Sequence, residues 1–174
     1  MNRRTLLSGL LALPALPLLA RTSFAQTTGS TEPHMQFEPL DRPHSYWRDK
    51  VSEPAYEVLF EESTERPGSS PLDKVYEPGT YVCAACYLPL FASENKFDSG
   101  TGWPSFTQPI EGHMGTKQDY SMIWPRTEYH CARCGGHQGH VFNDGPPPRG
   151  ERWCNNGVAL DFVAEGDELP ELRG

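Results

Sequence analysis

The sequence predicts a mostly β domain with a short helical segment at its N-terminal end. Helical character is confined to the stretch from Ser45 to Thr64. After it, short apolar runs alternate with Gly, Pro, Asn and Asp, which is typical of short antiparallel strands joined by long loops. Two Cys-x-x-Cys pairs lie among these runs and favour a small domain held together by a metal ion.

Residues 1–25 predict an export signal. Arg3 and Arg4 precede an apolar run over residues 6–20, and the small residues before Gln26 favour cleavage there. The paired arginines suggest the twin-arginine route, with Sec-type secretion as the alternative, so we expect a periplasmic or otherwise exported protein. A transmembrane anchor is the other interpretation. Because the run is short and contains two prolines, we expect no stable membrane insertion.

The composition argues against a nucleic-acid partner. The full chain has a formal net charge of −8. Loss of the signal removes three of its 15 basic residues, which leaves 12 against 23 acidic ones, or −11. An acidic surface repels phosphates. Residues 26–42 are polar and predict a flexible linker, residues 165–174 predict a loosely ordered acidic tail, and residues 43–164 are long enough for one domain.

The elements follow in chain order. Ser45–Thr64 predicts two short helical pieces rather than one helix, because Pro54 lies in its middle. The next segment is rich in turn residues and leads into a short strand around Thr80–Val82. Five further runs predict strands: "PLFAS", "YSMIW", "EYHCA", "GHVFN" and "VALDFV". "GTGWPSF", by contrast, predicts a loop that carries Trp103.

Four of the five cysteines form the two pairs, Cys83 with Cys86 and Cys131 with Cys134. Each pair places two sulfurs on one tight turn, and two such turns complete a tetrahedron around one Zn²⁺. A closed four-thiolate site leaves no open coordination position, so the predicted zinc is structural and joins distant parts of the chain. The alternative is a set of disulfides, which an exported protein can form.

The fifth cysteine, Cys154, has no such partner and follows Arg152. A cation beside a thiol lowers its pKa and so favours the nucleophilic thiolate. His137 and His140 stand among glycines and could move protons, and Trp103 could form an apolar wall. Each feature also has a simpler interpretation: a buried cysteine, a second pair of metal ligands, or a core indole. Taken together, the residues indicate thiol chemistry.

Five longer motifs extend this pattern in a fixed order: "TERPGSSPL", "GTYVCAACYLPLF", "KFDSGTGWPSF", "RTEYHCARCGGHQGHVFNDGPPPRG" and "RWCNNGVALDF". In them the chain resembles the methionine-R-sulfoxide reductases, the B-type family, from about Ser45 to Phe162. The resemblance implies two antiparallel sheets around a shallow active site. It also implies one structural Zn²⁺ and an enzyme that repairs methionine sulfoxide, free or in peptides, after oxidative stress.

The resemblance also implies residue roles. Cys154 is expected to be the nucleophile that becomes a sulfenic acid, and His140 the donor of a proton to the sulfoxide oxygen. The indole of Trp103 is expected to contact the substrate methyl group. The remaining implied residues surround these groups: Phe142 in the same pocket, His137, Arg152 and Asn156 around the thiolate and the sulfoxide oxygen, and Asp144 as a support for Arg152 or the histidine loop.

This chain departs from the family pattern at three places. Many relatives have a resolving cysteine where this chain has Thr101. If zinc holds its four cysteines, no intramolecular disulfide can form at Cys154. We therefore expect an external reductant, either a thioredoxin-like domain or a small thiol. At position 157 relatives often have Ser, and Gly157 lacks its hydroxyl; the sequence alone indicates no effect of this change. Trp153 stands where relatives commonly have Tyr.

Two other functions compete with this interpretation. A non-enzymatic zinc-knuckle binding module of similar fold would leave Cys154, Arg152 and Trp103 without a role. A thiol hydrolase would use the Cys/His pairing. It also needs an oxyanion hole and an acyl-substrate cleft, and the sequence indicates neither.

Overall fold

The structure is a computed structural model and describes residues 37–174. The predicted export signal and the first part of the predicted linker, residues 26–36, lie outside this range. Within it, no helix has both the length and the apolar character needed to cross a bilayer.

The helical prefix consists of a 3-10 turn, His44–Trp47, and one α-helix, α1, Glu53–Glu61. The prediction of two short pieces is confirmed, but Pro54 does not separate them. It lies in the first turn of α1, where backbone N–H groups have no intrahelical partner and proline costs nothing. Ser52 caps this helix, because its hydroxyl accepts a hydrogen bond from the Ala55 amide at 3.4 Å.

The described residues also form nine strands, all paired antiparallel, in two sheets. In chain order the strands are β1 (Gly79–Cys83), β2 (Pro89–Ala92), β3 (Lys96–Phe97), β4 (Ser105–Phe106), β5 (Met114–Asp119), β6 (Arg126–Cys131), β7 (His137–Phe142), β8 (Arg152–Asn155) and β9 (Leu160–Ala164). A three-stranded sheet has the order β2-β1-β9, and a six-stranded sheet has the order β3-β4-β8-β7-β6-β5. The predicted fold, mostly β with two antiparallel sheets, is confirmed.

Most of the predicted strands are present, and one is wrong. The strand around Thr80–Val82 and four of the five runs fall on β1, β2, β6, β7 and β9. The fifth, "YSMIW", is the loop between β5 and β6 instead, because the chain reverses there and the apolar residues find no neighbouring strand. The sequence did not predict β3, β4, β5 or β8, which are either two residues long or largely polar.

The hydrophobic core lies between the two sheets. Tyr81 and Phe91 come from the three-stranded sheet, and Phe106 and Tyr129 from the six-stranded one; all four are fully buried. The rings of Phe91 and Phe106 stack with centroids 4.0 Å apart, and Tyr81 meets Phe106 edge-on at 5.0 Å. These contacts hold the six-stranded sheet against its partner with its other face free for a site.

Both ends of the described chain are held by the domain. At the N-terminal end the Leu40 amide donates to the carbonyl of Arg133 at 2.6 Å. The tail was predicted to be loosely ordered, but Arg173 donates through its guanidinium to the carbonyls of Ala84 and Ala85. These two carbonyls belong to the Cys83–Cys86 turn and have no hydrogen-bond donor within it. Their hydrogen bonds to Arg173 therefore hold the tail in one position.

Candidate active site and metal centre

The candidate active site is built on the central strands of the six-stranded sheet. β8 lies between β4 and β7, and Cys154 is directly opposite His140 on one side and Ser105 on the other. The same row continues to Glu128 on β6, which is opposite His140. Because directly opposite residues of antiparallel strands project from the same face about 5 Å apart, these side chains share one surface.

Over this row lies a small pocket of about 130 Å³. It brings together five of the residues that the sequence predicted for the site: Trp103, His140, Phe142, Cys154 and Asn156. Thr64, Arg126, Gly139 and Asn155 complete its lining. The volume is well below the roughly 300–1,000 Å³ of a drug-sized ligand site, so the pocket suits a single side chain.

His140 is oriented by a carboxylate that the sequence did not point to. Its Nε2 lies 2.7 Å from Oδ2 of Asp119, which also accepts a hydrogen bond from Arg126 at 2.6 Å. Hydrogen bonds from Ser121 and from His140 hold the pKa of Asp119 well below its usual range. An ionised carboxylate can only accept, so Nε2 carries the proton. Burial lowers the pKa of His140, which leaves Nδ1 as a base at neutral pH.

Arg152 lowers the pKa of Cys154, as its charge predicts, but burial outweighs this effect. Burial raises the pKa of Cys154 above its ordinary value of 9.0, and the charge of Arg152 lowers it by less. Arg152 is also bound by other groups: it makes a bidentate ion pair with Asp144, at 2.8 and 3.0 Å, and lies over the ring of Phe142 at 4.3 Å. Asp144 therefore does support Arg152, and it also weakens the positive field at the thiol.

His137 does not line the pocket. Its ring lies behind that of His140, with centroids 5.4 Å apart. Its Nδ1 is 2.9 Å from a carboxylate oxygen of Glu128, which also pairs with Lys117 at 2.9 Å. Burial raises the pKa of Glu128, but the hydrogen bonds from His137 and Lys117 outweigh this and lower it. The geometry indicates that His137 supports the position of His140.

Asn156 connects the pocket wall to the backbone. Its amide nitrogen donates to the carbonyl of Gln138 at 2.9 Å, and its amide oxygen accepts from the Glu65 amide at 3.1 Å. The carbonyl of Glu65 in turn accepts from the indole nitrogen of Trp103 at 3.2 Å. Both polar ends of Asn156 are thus occupied, so the residue fixes the segment that orients the indole.

A chain of hydroxyls runs from the nucleophile strand to the loop with Trp103. Ser105, opposite Cys154, donates to Oγ of Ser99 at 2.9 Å, and the hydroxyls of Ser99 and Thr101 are 2.8 Å apart. Thr101 therefore stabilises this loop by a hydrogen bond, which a cysteine could make only weakly. Sequence reasoning missed Ser105 and Ser99, because only the β4–β8 pairing brings them to Cys154.

The four paired cysteines form the candidate metal centre. The two turns have the same design, since the amides of Tyr87 and Gly135 donate to the carbonyls of Cys83 and Cys131, each at 2.9 Å. Both Tyr87 and Gly135 adopt positive φ, 63° and 75°. A non-glycine residue is uncommon in this conformation. Tyr87 is covered by the guanidinium of Arg173 at 4.2 Å, which helps to hold it there.

The sulfur atoms fit a tetrahedral zinc site. All four lie within 4.8 Å of one another and are buried, and the separations Cys83–Cys134 and Cys86–Cys131 are 3.6 and 3.5 Å. Zn–S bonds of about 2.3 Å require tetrahedral S···S edges of about 3.8 Å, whereas a disulfide requires about 2.05 Å. The arrangement therefore favours the predicted metal site over disulfides.

A buried polar path connects this centre with the nucleophile strand. Gln138 donates to Sγ of Cys83 at 3.5 Å and accepts from the side-chain amide of Asn155 at 3.1 Å. Asn155 also accepts from the hydroxyl of Tyr129 at 2.9 Å. Asn155 directly follows Cys154 in β8, so a distortion at the metal centre has a continuous route to the thiol.

Comparison with known proteins agrees with this geometry. Residues 51–164 match the family model described as the SelR domain. A protein of Bradyrhizobium diazoefficiens named peptide methionine sulfoxide reductase MsrB is 53% identical over 115 residues, 66% of this chain and 83% of that protein. Proteins of the same name from Agrobacterium fabrum and Saccharophagus degradans are 48% and 47% identical, over 67% and 71% of this chain and 87% and 92% of theirs.

Proposed function

Because this chain belongs to the peptide methionine sulfoxide reductase family that carries the SelR domain, we propose that it reduces methionine-R-sulfoxide with Cys154 as the nucleophile. Reduction of methionine sulfoxide makes it an oxidoreductase, and the non-enzymatic zinc-knuckle alternative is not favoured. The substrate is the R-sulfoxide of methionine, free or within a polypeptide. The cross-strand pairing of Cys154 with His140 beneath the Trp103 pocket carries this proposal.

In the proposed mechanism, Cys154 begins as a thiol, because burial raises its pKa. Nδ1 of His140 accepts the thiol proton as Sγ attacks the sulfoxide sulfur, while Nε2 keeps its hydrogen bond to Asp119. The imidazolium then returns this proton to the sulfoxide oxygen. A thiol and a sulfoxide thus become a sulfenic acid on Cys154 and a thioether, with the oxygen transferred to Cys154.

The walls of the pocket recognise the methyl group and select the epimer. Trp103 and Phe142 offer apolar surfaces to the S-methyl group. When the methyl group is held there and the sulfur faces Cys154, only one arrangement of the oxygen reaches His140. This geometry supports R-stereospecificity, since the S epimer directs its oxygen or its main chain into the wall.

An external thiol regenerates the enzyme. Two thiols, from a thioredoxin-like domain or a small thiol, reduce the sulfenic acid to the Cys154 thiol and release water and a disulfide. Thr101 and the commitment of the other four cysteines to one buried cluster support this step. With substrate and no reductant, dimedone should label Cys154. A disulfide between Cys154 and any cysteine of the cluster would contradict the proposal.

Cys83, Cys86, Cys131 and Cys134 would hold one Zn²⁺. When bound, the metal supplies a cross-link between the β1–β2 turn and the β6–β7 turn and takes no part in the reaction. None of these four cysteines contributes to the pocket lining, so the metal would act as a scaffold and not as a group that binds the substrate.

Export through the N-terminal signal also remains our proposal. It is supported by Arg3, Arg4 and the apolar run that follows. N-terminal sequencing of the protein from a fractionated bacterial host should give a start at Gln26 in the periplasmic fraction. Recovery of the uncleaved chain from the cytoplasm would contradict it.

The decisive experiment is turnover on separated epimers. The zinc-loaded protein should reduce N-acetylmethionine R-sulfoxide and leave the S-sulfoxide unchanged, with dithiothreitol as reductant. Cys154→Ser should abolish turnover while the thermal melting curve and the zinc content stay the same. Activity that survives in Cys154→Ser, or equal rates on both epimers, would contradict the proposal.

A further inference from the structure

The loop between β5 and β6 exposes a cluster of apolar side chains. Tyr120, Met122, Ile123 and Trp124 are 75%, 60%, 91% and 79% exposed. Among the described residues, four of the six large apolar side chains that face solvent belong to this one loop. Scattered exposed apolar residues need no explanation, but a cluster of this kind marks an interaction site. We call residues Tyr120–Trp124 the apolar loop.

The apolar loop is attached to the pocket at both ends. Asp119, directly before it, binds His140, and Arg126, shortly after it, binds Asp119 and lines the pocket. Every residue of the loop is within three positions of Asp119 or Arg126. Since a chain advances at most about 3.6 Å per residue, each lies within roughly 11 Å of one of these two anchors.

A second cavity lies beside the base of the loop, on the opposite face of the six-stranded sheet from the pocket. It has a volume of about 460 Å³ and shares Arg126 and Phe142 with the pocket. Pro125, which ends the connection between β5 and β6, is part of its wall, as is Trp153. Thr127, Val141 and Trp153 also line it and alternate along their strands with Glu128, His140 and Cys154, so this cavity does not extend the pocket, and the flanks of a bound substrate must be held by the loop itself.

We propose that the apolar loop binds the apolar residues that flank methionine sulfoxide in an unfolded polypeptide. The proposal rests on the function proposed above, because it concerns the substrate of the same pocket. A pocket of about 130 Å³ holds the sulfoxide side chain and leaves the flanking residues outside. Methionine is mostly buried among apolar residues, and its oxidation disrupts such cores. An oxidised segment that unfolds thus offers apolar flanks.

Electrostatics agrees with this occupant. Residues 120–125 carry no charge, while the chain as a whole has a formal net charge of −8. The loop thus accepts an uncharged apolar segment without a charge penalty, whereas an anionic lipid surface would be repelled by the rest of the molecule. At about 3.3 Å per residue, an extended peptide with its sulfoxide in the pocket reaches the loop within three or four residues.

The test compares three substrates with a common sulfoxide. They are the R-sulfoxide of N-acetylmethionine methylamide, an 11-residue peptide with Leu and Phe around a central methionine-R-sulfoxide, and the same peptide with Ser and Gly around it. The enzyme variant is the double substitution Ile123→Ser and Trp124→Ser. Leu169→Ser is the matched control, because Leu169 is exposed and apolar but lies in the C-terminal tail.

We expect kcat/KM of the double variant on the Leu/Phe peptide to fall about tenfold, mainly through KM, since burial of about 55 Å² of apolar surface accounts for a tenfold change in affinity. The other two substrates should change less than twofold, and Leu169→Ser should change none of them. An equal loss on all three substrates, or no loss on any, would overturn the proposal.

Other occupants predict different results. If the loop binds the reductant, the KM for a thioredoxin-like reductant rises while the three substrates keep their ratio. If it binds lipid or a second copy, the wild-type protein sediments with phosphatidylcholine vesicles or elutes as a dimer, and the double variant does neither. Any of these outcomes without a change in peptide preference would overturn the proposal.

Direct binding separates this proposal from the proposed reductase function. Fluorescence anisotropy measures how tightly the dye-labelled Leu/Phe peptide binds to the Cys154→Ser variant, which cannot turn the peptide over. Tighter binding than for the Ser/Gly peptide, lost when Ile123→Ser and Trp124→Ser are added, supports the apolar loop even if wild-type turnover fails. Equal binding of both peptides would overturn it even if turnover is observed.

Discussion

At the scale of single residues, burial determines the resting state of the nucleophile. The pKa of Cys154 is raised by burial, and Arg152 lowers it only in part because Asp144 holds that cation.

We expect the rate of Cys154 alkylation by iodoacetamide to titrate with a midpoint above pH 9.0. Arg152→Gln should move the midpoint to higher pH, and Arg152→Lys by less, since an opposite charge favours the thiolate. Mass spectrometry of the Cys154 peptide measures the rate. A wild-type midpoint well below 9.0 would contradict this view.

Asp119 should matter to the reaction only through His140. The side chain introduced by Asp119→Asn would keep a carbonyl that accepts from Nε2 but would lack the negative charge that stabilises the imidazolium. We therefore expect Asp119→Asn to lower kcat up to about a hundredfold, the lower end of general acid–base effects. The hydrogen bond to Asp119 and the charge of Asp119 raise the pKa of His140, so removing the charge lowers this pKa further. Since the base must be neutral, the acidic limb of the rate profile should move to lower pH.

The control for this prediction is Asp49→Asn, a change of the same chemistry at an exposed carboxylate between the 3-10 turn and α1. It should leave both kcat and the pH profile unchanged. If Asp119→Asn lowers kcat without moving the acidic limb, Asp119 acts on the stability of the β5–β6 hairpin rather than on the base.

At the scale of elements, Gly157 shows why this chain has no hydroxyl after Asn156. A Cβ at this position would lie 2.2 Å from Oγ and 2.4 Å from Cβ of Ser70. Its amide also donates to the Glu65 carboxylate at 2.5 Å, which prevents a shift of the turn. We expect Gly157→Ser to lower the free energy of unfolding by about 1–3 kcal/mol, the cost of overpacking.

The double-mutant cycle with Ser70→Gly tests this cause. Ser70→Gly alone is destabilising, because Oγ of Ser70 caps the following 3-10 turn at the Leu72 amide. In the double variant the clash is gone, so urea denaturation should recover part of the loss caused by Gly157→Ser. Additive losses would mean that Ser70 is not the obstacle.

Elements that depend on local pattern were predictable, and those that depend on neighbouring strands were not. The cysteine pairs and the isolated Cys154 are visible in the sequence, because spacing alone identifies them. β8 is largely polar and is a strand because β4 and β7 pair with it on both sides. Asp119 reaches His140 only across the β5–β6–β7 pairing, which no local pattern encodes. The apolar loop has the composition of a strand but lies where the chain reverses.

At the scale of the whole molecule, the metal centre joins the two sheets and reaches the active site through Gln138 and Asn155. Removal of zinc should lower the melting temperature by about 10 °C or more, since metal binding to a cross-linking site is folding free energy. The alkylation rate of Cys154 should also change, because β8 loses part of its support. Calorimetry and alkylation measure these effects, and added Zn²⁺ should reverse both.

A matched pair of variants checks the assignment. Cys83→Ser should lose the metal and reproduce the lower melting temperature, whereas Cys154→Ser should keep both the metal and the stability. If Cys83→Ser melts like the wild type, the cluster is not the cross-link that the fold requires.

The C-terminal tail completes this cross-link on the outside. Arg173 donates to the carbonyls of Ala84 and Ala85 in the first cysteine turn, and its own carbonyl accepts from Arg133 in the second turn. The tail is therefore hydrogen-bonded to both cysteine turns.

We expect Arg173→Met to speed zinc release to a chelator several-fold, because two buried carbonyls lose charged donors that are each worth about 1.5–3 kcal/mol. A zinc-sensitive dye measures the release. Arg149→Met, at an exposed arginine of the β7–β8 connection, is the control and should not change it. Equal release rates for the two variants would mean that the cysteine turns hold the metal without help from the tail.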